Sequence, residues 1–221
     1  MNQKKAGVFL SYCSLFASSI LSVLITPFML RSFGDIEYGL YQTIASFVGV
    51  LAVLDFGTGV TTTRYVAKYI ANGDERGKNN FIALSVIINL AIGLLIFIFG
   101  VVLVYCIPGL FDQTFSAADI AHGKTLAWLY VINMIITLFT HAFSGIISAH
   151  KRFAVANGIN LGRILLRFGL IFVMLLFGMK AVAISPADII VNLLVAVIAI
   201  VYAYQKLQIR PKIYQFDIKL L

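Results

Sequence analysis

The sequence predicts an all-α, polytopic helical membrane protein with six transmembrane helices. Three observations carry this. Of 221 residues, 61% are hydrophobic and mean hydropathy is +0.97, a composition foreign to soluble domains. Six separate apolar stretches are each long enough to cross a hydrocarbon core of about 30 Å. Helices satisfy their own backbone hydrogen bonds, as the bilayer requires of a spanning segment. Third, the basic residues lie mainly in alternate connections between those stretches. The formal charge of +8 raises nucleic acid as a partner, but these residues form no patch on a soluble face, which excludes it.

The spans are expected at about 8–30, 38–62, 81–107, 124–148, 158–179 and 186–206, one bundle over residues 1–206. Residues 207–221 read as a basic amphipathic tail on the inner leaflet, the start of a linker. The two ends of the chain and alternate connections hold 14 of the 17 Lys and Arg, counting Arg163 and Arg167 at the start of span five. The opposite side holds Arg31, Lys124 and Lys180, with the acids Asp35, Glu37, Asp112, Asp119 and Asp188. The positive-inside rule then makes both termini cytoplasmic. Cys13 and Cys106 sit in different spans at opposite faces and are expected as free thiols. The first apolar stretch is too long for a signal peptide's core and lacks a cleavage pattern, so it is expected to stay as an anchor.

Span one carries Ser11, Ser14, Ser18, Ser22 and Thr26 on one helical stripe. Two readings stay open: close packing through small residues, or the hydroxyl wall of a cavity. Pro27 cannot donate to the carbonyl of Val23, so the outer end is expected to bend there, as a hinge or a helix end. Residues 31–41 are expected to form a tight polar outer loop. Span two contains Asp55 well inside it, then Gly57, Gly59, three threonines and Arg64. An intramembrane carboxylate costs roughly 2.5–3.5 kcal/mol on insertion scales, so Asp55 is expected to face a cavity or a partner. The alternative is a helix-end cap. An amphipathic helix continues to residue 71 and a turn follows at Asn72-Gly73-Asp74. Span three is almost pure hydrocarbon, and residues 108–123 are expected as the longest outer loop.

Span four repeats the polar stripe with Asn133, Thr137, His141, Ser144 and Ser148. His141 is either a hydrogen-bonded helix contact or a proton-handling group. Asp55 and His141 each lie roughly 25 Å in from the outer start of their spans, hence at similar depth. Span five brings Asn160, Arg163 and Arg167 on one face, beside a Gly158-x-x-x-Gly162 motif expected to pack closely. Arg163 can snorkel to the headgroups. Arg167 lies roughly 14 Å from Gly158, near mid-membrane, and wants an aqueous cavity with an anion or Asp55 as partner. In span six Asn192 is the one strongly polar interior residue expected.

The sequence has no P-loop, metal-ligand spacing or nucleophile–base arrangement, and nothing calls for a cofactor. Asp55-Phe56-Gly57 matches a kinase tripeptide by chance, with no nucleotide loop or catalytic loop to accompany it. Transport therefore outranks catalysis, and the chain is not expected to be an enzyme.

The run Gly34-Asp35-x-Glu37-Tyr38-Gly39-Leu40-Tyr41, followed by Asp55-Phe56-Gly57-x-Gly59 and Arg64, resembles the start of bacterial polysaccharide flippases. These translocate O-antigen or capsule repeat units and belong to the multidrug/oligosaccharidyl-lipid/polysaccharide exporter superfamily. The resemblance implies one bundle of a V-shaped, two-bundle transporter. Its cargo would be an undecaprenyl-pyrophosphate-linked oligosaccharide, flipped across the bacterial cytoplasmic membrane by alternating access. Membrane lipids and polysaccharide polymerase machinery would be partners. A cation-lined cavity is implied; Arg64 matches the family motif, while Arg163, Arg167 and Asn160 are pyrophosphate candidates by burial alone. Asp55 with His141 would be an ion-coupling or counter-ion site, and Gly57, Gly59 and Pro27 would be motif or hinge positions. The departure is length: one bundle is present where rocking requires two. A multidrug or cation exporter of the same superfamily, or a non-transporting remnant, are the alternatives.

Overall fold

A computed structural model describes residues 3–55, 57–111, 115–209, 211, 212 and 214. Phe56 of the motif, Asp112 of the outer set, and Arg210, Lys219 and most of the expected tail lie outside the described residues. The described chain is helical almost throughout. Helix α1 spans Gln3–Val50, and a 3-10 turn covers Leu51–Asp55. Then come α2 (Thr58–Ala71), α3 (Glu75–Phe111), α4 (Ala117–Ala149), α5 (Phe153–Leu176) and α6 (Ala181–Lys206).

Five helical runs among the described residues are long and apolar enough to cross a membrane, one fewer than the six expected. The difference lies in the first, Gln3–Ala71, which runs over both of the first two expected spans. The tight loop expected at 31–41 is helical except at Gly34, whose φ of 77° and ψ of 168° are non-helical. Glycine suits that backbone because it has no Cβ to clash. Pro27 sits inside helical backbone, so the break comes seven residues later than the expected bend.

Contacts show the chain reversing at Gly34. Before it, α1 runs alongside α5 in the same direction: Asn157 Nδ2 donates to the Gly7 carbonyl at 2.8 Å, and Phe28 meets Phe172 edge-on at 5.7 Å. After it, the chain follows α4. Leu40 lies against Gly123, Tyr41 and Tyr130 are 5.7 Å apart, and Thr63 Oγ1 donates to the Gly145 carbonyl at 3.1 Å. Glu37 fixes the turn. Its Oε1 accepts from the Ala181 N–H at 3.1 Å, and its Oε2 lies 3.5 Å from Lys180 Nζ. A carboxylate at a helix N-terminus satisfies a free N–H and favours the helix dipole, so Glu37 clamps the start of α6.

Helix α4 is the central post, packed by α2, α3, α5, α6 and the second arm of α1. Its N-terminus carries a capping box between Ser116 and Asp119. Together with α3 reaching Phe111, this leaves little of the long outer loop expected at 108–123. Two apolar clusters fill the bundle. One, around Ile44, Leu126 and Val131, lies toward the Gly34 end; the other, around Val66, Ile82 and Ile147, lies toward the opposite end. Outward, the first arm of α1, α3 and α6 expose large apolar side chains, among them Phe9, Phe16, Leu94 and Leu193. A hydrocarbon surround removes the cost water would impose on that surface.

Candidate functional site

Close backbone approach sets up the site. Helices α2 and α4 cross at Gly59 and Gly145. A Cβ built on Gly145 would stand 2.4 Å from the Gly59 carbonyl oxygen, and one on Gly59 would stand 2.9 Å from that of His141. Gly57 has φ 67°, the left-handed region, and starts α2. The motif glycines thus bring α2 onto α4. By contrast, Gly158 and Gly162 do not form the close crossing expected. Among the described residues, Gly162 has nothing within 4 Å of its Cβ position, and Gly158 meets a Leu10 methyl alone, at 3.9 Å.

That crossing sets Asp55 against His141. Asp55 Oδ2 is 3.1 Å from His141 Nδ1, and Asp55 Oδ1 accepts from the Thr58 hydroxyl at 2.6 Å and the Thr58 N–H at 3.3 Å. Asp55 thus braces the first turn of α2 through Thr58, ahead of the Gly57 N-cap, and has a partner on another helix. The partner is His141, not Arg167.

The polar stripes of α1 and α4 converge with α5 and α6 on one cavity of about 450 Å³. Ser11, Ser14, Ser18 and Ser22 line it from α1, which favours the hydroxyl-wall reading over close packing. The Ser14 and Ser18 hydroxyls donate to the carbonyls of Leu10 and Leu15 at 2.9 and 3.0 Å. Their lone pairs stay free to accept from a ligand. Thr26 donates to the Ser22 carbonyl at 2.7 Å and takes no part in this wall.

Facing the serines, α5 presents Asn160, Arg163 and Arg167, and the antiparallel α6 presents Asp188 and Asn192. Arg167 Nε and Nη2 donate to Asp188 Oδ1 and Oδ2 at 2.8 and 2.9 Å, a bidentate pair. Asp188, expected on the outer side of the membrane, is instead 4% exposed inside the bundle. Arg163 has amide partners: Nη2 donates to Asn160 Oδ1 at 3.0 Å, and Nη1 to Asn192 Oδ1 at a long 3.4 Å. Asn192 Nδ2 in turn donates to Asn133 Oδ1 at 2.6 Å. No carboxylate pairs with Arg163 among the described residues.

Asn160 and Arg163 also line a second chamber of about 240 Å³, which reaches His141 and Ser144. The structure thus brings Asn160, Arg163 and Arg167 together, with His141 one chamber away. Arg64 is exposed on α2 and lines neither chamber. Sequence reasoning missed Asp188. The signal was present: Asp188 and Asn192 share the one-turn spacing of Arg163 and Arg167, so antiparallel neighbours pair rung by rung.

Residues 5–220 match the family described as polysaccharide biosynthesis protein. Among curated proteins none matches. Among solved structures, a MOP superfamily transporter from Pyrococcus furiosus Vc1 superposes with TM-score 0.77 at 18% identity, over 100% of this chain and 50% of that one. An outward-facing multidrug resistance MATE family transporter of the same superfamily gives the same figures. MATE in complex with MaD3S gives TM-score 0.72 at 18% identity, over 97% and 47%. The chain spans about half the length of these transporters. With its match running from residue 5 to residue 220, the chain belongs to the polysaccharide biosynthesis protein family and has the membrane-helical fold of MOP superfamily transporters.

Proposed function

We propose that this chain is one bundle of a flippase that carries undecaprenyl-pyrophosphate-linked oligosaccharide repeat units across the bacterial cytoplasmic membrane. A second bundle completes the path, and the two rock by alternating access. Both termini lie on the cytoplasmic side. Membrane lipids surround the apolar flanks, and polysaccharide polymerase machinery takes the delivered units.

The observation that carries this reading is Arg163: a guanidinium between two chambers, held by neutral amides and with no carboxylate partner among the described residues. With Arg167 and Asp188 charges cancelling, the α5–α6 wall keeps a net charge of +1. Arginine suits phosphate oxygens because its planar donors match them two at a time. The α1 hydroxyls offer acceptors, and Asn133 and Thr137 of α4 offer further polar contacts for sugar hydroxyls. A cationic drug would need a free acid here, and Asp188 is engaged by Arg167, which sets the multidrug reading second.

In the complete transporter, Arg163→Ala should abolish glycan export while membrane abundance stays near normal. Arg163→Lys should restore part, since charge returns without the planar donor pair. Normal export by Arg163→Ala would sink this reading.

A further inference from the structure

Two rungs join α5 to α6. Arg163 meets Asn192 at 3.4 Å, and one turn along, Arg167 meets Asp188 at 2.8 and 2.9 Å. Side chains one turn apart on a helix stand about 5–6 Å from each other at Cβ. Asp188 is therefore one rung from Arg163. Its side chain is only 6% exposed, whereas that of Arg167 is 42% exposed to the cavity. A buried carboxylate without a cation is costly, which favours pairing with a guanidinium within reach. Two guanidinium groups are within a rung of it, and it holds Arg167.

Resting on the reading of this cavity as an anion site, we propose that Arg167 is a positioning residue that sequesters Asp188 and so keeps Arg163 open to the substrate's anionic group. Arg167 then contributes little direct attraction of its own, because Asp188 cancels its charge. Its work is to prevent the carboxylate from closing on Arg163 and competing with the phosphate. This differs from a role as a second phosphate ligand, and the two roles make opposite predictions when both partners are removed.

The probe is inorganic pyrophosphate, titrated into the protein purified from membranes, with thermal stability recorded beside affinity. Arg163→Gln should weaken binding about tenfold or more, the scale of losing charge-assisted hydrogen bonds. Arg167→Gln should weaken it comparably, because Asp188 turns to Arg163. The double variant Arg167→Gln with Asp188→Asn should recover to within about threefold of the unmodified protein. Unchanged binding by Arg163→Gln overturns the anion-site reading and this inference with it. If Arg163→Gln loses binding, the anion site stands and the other two variants judge Arg167. A folded Arg167→Gln that binds normally, or a double variant that stays about tenfold weak, overturns the positioning role. If Arg167→Gln does not accumulate, the affinity of the double variant decides alone.

Discussion

Arg167 and Asp188 meet fork to fork across α5 and α6, Nε to Oδ1 at 2.8 Å and Nη2 to Oδ2 at 2.9 Å. The carboxylate is nearly buried while the guanidinium is 42% exposed to the cavity. Cavity water therefore screens part of the pair. Loss of one partner should cost about 1–2 kcal/mol, below the roughly 3–5 kcal/mol of a fully buried pair. Asp188→Ala should lower the unfolding temperature and membrane abundance, and adding Arg167→Ala should return part of both. Strictly additive losses in the double variant would mean the two groups are not coupled.

The Gly59–Gly145 crossing leaves no room for a methyl group. A Cβ at Gly145 would sit 2.4 Å from backbone, which cannot rotate away. Gly145→Ala should destabilise by about 1–3 kcal/mol through overpacking. Gly162→Ala is the control, since its Cβ position is open and alanine gains helix propensity. Thermal unfolding in detergent checks both, and equal stability of the two variants would contradict the crossing.

Asp55 holds Thr58 at the start of α2 and meets a histidine at once, and two substitutions separate these roles. Asn accepts from Thr58 as Asp does, so Asp55→Asn should preserve abundance. Asp55→Ala should cost about 0.5–1.5 kcal/mol, the net worth of a hydrogen bond. The Asp55–His141 contact gains an ionic part only when the imidazole is protonated. If it couples transport to protons, Asp55→Asn should flatten the pH profile of export in the complete transporter. An unchanged profile assigns the pair to structure. No rescue is expected between Asp55 and Arg167, because their partners differ.

The membrane orientation is open to direct measurement. Reporter fusions after residues 35, 75, 115, 152 and 182 should alternate outside, inside, outside, inside, outside, following the basic bias in the sequence. A cytoplasmic signal at residue 115 would overturn both termini together.

Much of this was legible in the amino-acid order. Apolar length specifies membrane helices, because only segments with self-satisfied backbones survive in hydrocarbon. Helical periodicity placed the serines of α1 on one face, the polar residues of α4 on another, and Asn160, Arg163 and Arg167 on a third. Equal depth hinted that Asp55 and His141 could meet. Local polarity misled at two places. Residues 31–41 look like a loop, yet one glycine suffices to reverse two helical arms. Asp188 lies near the apparent end of a span, which points outside, yet it is buried in the bundle.

What the sequence determined alone is the set of periodic faces and the excess of cations over acids, because both depend only on residue order. Which face meets which was decided by packing. Gly59 and Gly145 admit backbone contact, so α2 crosses α4 there and Asp55 reaches His141. Antiparallel α5 and α6 align Arg167 with Asp188 and leave Arg163 among amides. A salt bridge acts over a few ångströms, while sequence separation says nothing about such distances between helices. Only the tertiary structure could assign one arginine to a carboxylate and leave the other open to the cavity.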